Sequence, residues 1–230
     1  FRSGEPVDPP EPGGDGDWTV KQNLINDDFE TGYNADGSDA APQLWKKWSY
    51  VDNKSANGGL LQVHKIDGSN VLLMGSDRAA DAASTAADAL IESALLDTKG
   101  DSQISFRLKP QGAKQNQFNV KAKDANGVFF DLVNVDDKGN MKVFGKELSQ
   151  KLSGQWMEFK IRFNTERKTM SLLLNETQVE TDYNFASAVP AGFDLSAMKI
   201  RFGIWIWAKG ERLGYYVDDI SVDQVEKSGG

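Results

Sequence analysis

KIRFGIWIWAK occupies residues 199–209. Read as a strand, it sends Ile200, Phe202, Ile204, Ile206 and Ala208 to one face, and Arg201, Gly203, Trp205, Trp207 and Lys209 to the other. The first set is a core face. The second mixes two indoles with two cations, a poor composition for another core and a suitable one for a binding surface. The same period of two recurs through the chain. ISFRL (104–108) turns Ile104, Phe106 and Leu108 inward; FNVKAK (118–123) does so with Phe118, Val120 and Ala122; WMEFKIRF (156–163) with Met157, Phe159, Ile161 and Phe163. DANG (124–127), DDKGN (136–140) and NTERKT (164–169) lie between such runs as hairpin connections.

One stretch, 76–97, breaks the pattern. Its alanines favour helix, but everything around it is extended, so a strand over 88–97 is the preferred reading. The first 17 residues, FRSGEPVDPPEPGGDGD, hold almost nothing to bury and read as a linker; EKSGG (226–230) reads as a tail, leaving 18–225 as the folded unit. A chain that opens on Phe1 is expected to be a processed piece of a longer protein. Among 230 residues there is no cysteine and one histidine, which excludes disulfides, thiolate metal sites and histidine-clustered ones; His64 itself reads as a strand or surface residue. No 18-residue apolar run is present, so no membrane partner is expected, and a net charge of −8 argues against nucleic acid. About 210 residues of alternating strands and turns predict an all-β fold, two antiparallel sheets packed face to face.

NDDFE (26–30), KDANGVFFDLVNVDDKGNMKVFG (123–145), GQWMEFKIRFNTERKTMSLLLNE (154–176) and YYVDDISV (215–222) together resemble the concanavalin-A-like jelly rolls. That group includes laminin-G-type lectin domains, carbohydrate-binding modules and alginate-lyase-type polysaccharide lyases. The resemblance runs over about residues 24–223 and implies a concave groove containing the strands around 90–96, 117–123, 128–134 and 199–209. Gly203-Ile204-Trp205 has the shape of the lyases' Gly-aliphatic-Tyr run, with tryptophan in place of tyrosine. Asn119-Val120-Lys121 stands where the lyases carry Gln-x-His. Both catalytic residue types are therefore replaced, and the β-glucanase signature Glu-x-Asp-x-x-Glu is absent.

The expected ligand-binding set is Trp205, Trp207, Arg201, Lys121, Asn119, Glu92 and Asp131, with Trp48 or Trp45 at a groove rim. Indoles stack on the C–H face of a sugar ring while amides and charges take its hydroxyls. The alternative is that both paired tryptophans pack under a covering loop. Outward Lys and Arg residues suit a uronic-acid polysaccharide, or serve solubility alone. Asp28, Glu30 and Asp219 are expected to hold a structural Ca²⁺ where the two termini run side by side, or else merely to end strands and cap turns. The reading is a non-catalytic carbohydrate-binding module of a secreted, bacterial polysaccharide-degrading enzyme, tethered to the catalytic module by its linker. The alternatives are a polysaccharide lyase, with Lys121 and Tyr215 or Tyr216 as its acid–base pair, a glycoside hydrolase using Glu92 and Asp131, and a laminin-G-like adhesion domain.

Overall fold

The computed structural model describes residues 18–53, 59–76, 87–112, 117–206 and 214–227. Among these residues seventeen strands, numbered in chain order, form two antiparallel sheets. The nine-stranded sheet runs β15 (Thr177–Asn184), β14 (Thr169–Leu174), β13 (Met157–Asn164), β8 (Asp101–Pro110), β17 (Tyr215–Lys227), β5 (Ser69–Ser76), β4 (Gly59–Ile66) and β2 (Asp36–Asp39), with β1 (Trp18–Asp27) also on β17. The eight-stranded sheet runs β12 (Lys146–Lys151), β11 (Asn140–Val143), β10 (Phe129–Val135), β9 (Gln117–Lys123), β16 (Ala197–Ile206), β6 (Ala87–Glu92) and β3 (Tyr50–Asp52), with β7 (Leu96–Asp97) on β16. The architecture is a two-sheet β-sandwich. Every strand expected in the groove belongs to the second sheet.

The sheets meet through the inward rows read from the sequence. Phe106 of β8 stacks on Phe159 of β13 at 4.7 Å and meets Phe202 of β16 edge-on at 5.4 Å, so one ring joins both layers. The hairpins follow from their acids. Asp136 accepts the N–H groups of Lys138 (2.9 Å) and Asn140 (2.8 Å) through Oδ1 and the Asn140 amide through Oδ2. Gly139 supplies the positive φ of 76° that this turn requires. At the entry to β17, a Cβ on Gly214 would overlap the Met74 carbonyl oxygen and lie 2.7 Å from the Gly75 Cα. Both obstacles are backbone and cannot rotate away, so Gly214→Ala should lower stability by about 2 kcal/mol in urea titration.

The ambiguous stretch is extended: β6 covers Ala87–Glu92 and β7 Leu96–Asp97, while 77–86 lie outside the described residues. β17 continues through Lys227, paired with Trp18, so Glu226 and Lys227 belong to a strand and not to the tail. Among the described residues, no helix is long and apolar enough to cross a membrane.

Trp48 corrects an expectation. It is 1% exposed, packs edge-on against Phe202 at 6.1 Å and donates its indole N–H to Asp27 Oδ2 at 3.0 Å. The buried Asp27 carboxylate also accepts from the Phe29 N–H (3.2 Å), the Tyr33 hydroxyl (2.7 Å) and Lys47 Nζ (2.8 Å). A carboxylate taken out of water needs such donors, and that demand draws Trp48 inward. Trp45, three residues earlier, is the exposed member of the pair.

Candidate functional site

Strand alternation leaves one continuous set of side chains on the outer face of the eight-stranded sheet. Register aligns Tyr50, Glu92, Arg201, Lys121 and Asp131 in a row across β3, β6, β16, β9 and β10. A parallel row places Gly203, Asn119 and Asn134 side by side. Arg201, Lys121, Asn119, Glu92 and Asp131, far apart in sequence, are thus brought together. The backbone of Trp205 continues β16 opposite Gln117 and Asp88. Its side chain, and all of Trp207, lie outside the described residues.

Charge organises this face. Arg201 donates from Nε (2.9 Å) and Nη2 (2.6 Å) to Oε2 of Glu92, whose side chain is 3% exposed. Lys199 Nζ stands 3.6 Å from the other Glu92 oxygen, and Lys121 Nζ 3.3 Å from Asp131. Two pairs of cations nevertheless sit directly opposite each other, Arg201 against Lys121 and Lys199 against Lys123. Like charges facing across an antiparallel pair destabilise a sheet. Four cations and two acids leave the patch positive on a chain of net charge −8.

Aromatic rings frame the patch. The Arg201 guanidinium lies 4.9 Å from the Phe129 ring centre and 5.9 Å from that of Tyr50, and Lys123 Nζ 5.3 Å from Phe129. Trp45 meets Tyr50 edge-on at 6.3 Å. Trp45, Tyr50 and Phe129 are exposed. Beyond Phe129 the face deepens into a cavity of about 880 Å³ lined by Lys121, Asp131, Asn134, Lys142 and Glu147. Asn119 is only 8% exposed, between Gly203 and Asn134 in the register.

Tyr50 and Phe129 were not expected in the site. The signal for Phe129 lay in the doublet FF at 129–130: neighbours on a strand point to opposite faces, and Phe130 is the buried one.

The geometry constrains catalysis. Glu92 and Asp131 are separated by three inter-strand steps of about 4.8 Å, roughly 14 Å in all, beyond the ~5–9.5 Å of glycosidase carboxyl pairs. Tyr215 is fully buried in the core against Phe118 at 5.4 Å, and burial pushes its hydroxyl pKa up. Tyr215 and Tyr216 belong to the other sheet from Lys121, so neither completes a lyase pair with it. His64 lies on β4 of that other sheet, its Nε2 3.1 Å from Gln62 Oε1.

The calcium set does not assemble. Asp28 accepts the Glu30 N–H (3.1 Å), Glu30 the Asn70 N–H (3.0 Å), and Asp219 is bonded by Arg107 (3.1 Å). Among the described residues no three acidic or histidine side chains gather as a metal site, and these three as placed do not fit a Ca²⁺ cage.

The fold is a two-sheet antiparallel jelly-roll β-sandwich. Among solved structures, a β-1,3-glucanase from Mycobacterium marinum superposes with TM-score 0.54 at 14% identity, over 87% of this chain and 98% of that one. The lectin UEA-II complexed with galactose gives 0.50 at 9%, over 78% and 97%. A sialidase gives 0.50 at 10%, over 77% of this chain, which spans 19% of the sialidase's length. No protein-family model and no curated protein sequence matches the chain. The likeness is one of fold.

Proposed function

We propose that the chain is a non-catalytic carbohydrate-binding module that holds an acidic, uronic-acid-type polysaccharide on the outer face of its eight-stranded sheet. The observation that carries this reading is the pair of opposed cation pairs, Arg201 with Lys121 and Lys199 with Lys123. Glu92 offsets Arg201 and Lys199 and Asp131 offsets Lys121, yet these four cations outnumber those two acids, a surplus that suits an anionic ligand. Arg201, held by Glu92 and flanked by Phe129 and Tyr50, is set to pair with a sugar carboxylate, while the rings offer faces to pyranose C–H groups. Asn119 and Asn134 supply amides for hydroxyls. In a secreted parent enzyme, such a module raises the effective concentration of its catalytic partner on the polymer.

Affinity electrophoresis through polygalacturonate, alginate and neutral laminarin tests this. Retention by an acidic polymer, with a Kd in the micromolar range or about −8 kcal/mol, is expected, weakening as salt rises. Lys121→Gln with Lys123→Gln should weaken it about tenfold or more. The melting temperature should hardly move, since the Lys121–Asp131 pair is exposed and worth under about 1 kcal/mol. No unsaturated product or new reducing ends should appear. Equal retention by laminarin, indifferent to salt and to both substitutions, would sink the reading.

A further inference from the structure

The groove's opposed cations are confined to two adjacent strands. Across the sheet, the row Tyr50, Glu92, Arg201, Lys121 and Asp131 reads ring, acid, cation, cation, acid. Lys199 and Lys123 lie two residues further along β16 and β9, about 7 Å away at strand rise. With an inter-strand step of about 4.8 Å, the four cations rise from a backbone area with room for one charged sugar. On either side the supply of cations stops. The strands β3 (YVD), β6 (ADALIE) and β10 (FFDLVNV) hold no lysine or arginine. One strand beyond β10, Lys142 is held by Glu147 at 3.1 Å.

The flanks of this centre are aromatic on one side and acidic on the other. Toward β3 stand the exposed rings of Tyr50 and Trp45. Toward β10 stands Phe129 and then the cavity, where Asp131, Asp136 and Glu147 outnumber Lys121 and Lys142, with Leu148 and Pro190 in the walls. The rings also set a direction. Tyr50 and Phe129 approach the Arg201 guanidinium from opposite sides of β16, at 5.9 and 4.9 Å, and the cavity opens past Phe129. A glycan that uses rings, cations and cavity together therefore lies across the strands.

We propose that the groove selects an acidic heteropolysaccharide, in which charged sugars are separated by neutral ones, over a homopolymer of uronic acid; this rests on the groove reading above. One carboxylate sits on the β9 and β16 cations. Its neutral neighbours stack on Tyr50 and Trp45 on one side and enter the cavity past Phe129 on the other. In a homopolyuronate those neighbours carry carboxylates over strands that have no cation, and into a cavity with an acid to spare. There they lose hydration without gaining a partner. Selectivity comes from the flanks as much as from the centre.

Titration calorimetry of the whole chain at low salt compares three hexasaccharides: uronic acid alternating with neutral deoxyhexose (a rhamnogalacturonan backbone), oligogalacturonate, and a neutral galactan. The alternating ligand should bind about tenfold tighter than oligogalacturonate, the gap shrinking as salt rises. Trp45→Ala should weaken the alternating ligand about fivefold, and no loss overturns the part given to the rim. Asp131→Asn/Glu147→Gln should raise the affinity for oligogalacturonate more than that for the alternating ligand, and a gap it leaves intact overturns the acidic flank as the cause. Both side chains are exposed, at 57% and 81%, so an unchanged melting temperature certifies that variant as folded. Oligogalacturonate bound as tightly as the alternating ligand overturns the selectivity and leaves the groove reading standing. Galactan bound as tightly as the charged ligands, or no binding of any of the three, overturns the groove reading itself.

Discussion

Asp27→Ala should lower the free energy of unfolding by about 4 kcal/mol, measured by urea titration. The carboxylate is fully buried and gathers four donors from three successive chain segments: the Phe29 N–H, the Tyr33 hydroxyl, Lys47 Nζ and the Trp48 indole. Alanine leaves the buried indole N–H and the half-buried phenol without their acceptor. Burial and the bond to Asp27 push the Tyr33 pKa up, so the hydroxyl remains a donor throughout the ordinary pH range. Asp27→Asn keeps the shape and one carbonyl acceptor, and its loss should be about half as large. A loss below about 1 kcal/mol for alanine would mean that hydrophobic packing around Trp48, and not the carboxylate, holds the loop between β1 and β3.

Arg201→Ala should cost about 3 kcal/mol of stability and most of the retention on acidic polysaccharide. Its guanidinium neutralises Glu92, a buried carboxylate that, among the described residues, keeps Lys199 at 3.6 Å as its cation once Arg201 is gone. Stability and binding are therefore entangled in the single substitution. The double variant Glu92→Gln/Arg201→Ala separates them: removing the stranded charge should restore much of the stability, while binding stays lost. Recovery of both would assign Arg201 a purely structural role. Recovery of neither would mean that Arg201 acts through its packing on Phe129 and Tyr50.

Period-two alternation made the architecture legible. Ile104, Phe106 and Leu108, or Phe118, Val120 and Ala122, have one side-chain period and one buried face, and each row lies in the core. Alternation also placed Arg201, Lys121, Asn119 and Asp131 on outward positions of strands that share one sheet. It failed for the short run LWKKWSYV, where a four-residue helix, Ala41–Leu44, precedes the tryptophans and period two does not apply. There the selection between Trp45 and Trp48 depended on Asp27, some twenty residues away, whose need for a buried donor is invisible locally. The catalytic pairs failed for a related reason: residues can share a face in sequence logic and still lie three strands apart, as Glu92 and Asp131 do.

Sequence alone determined that this chain is a two-layer β-sandwich with polar outer faces, because side-chain alternation is a local property of extended backbone. Tertiary structure alone decided which cations face one another, which tryptophan is buried, and that Tyr50 and Phe129 flank Arg201. Those outcomes depend on strand order and register, which long-range packing sets and no short window of residues contains.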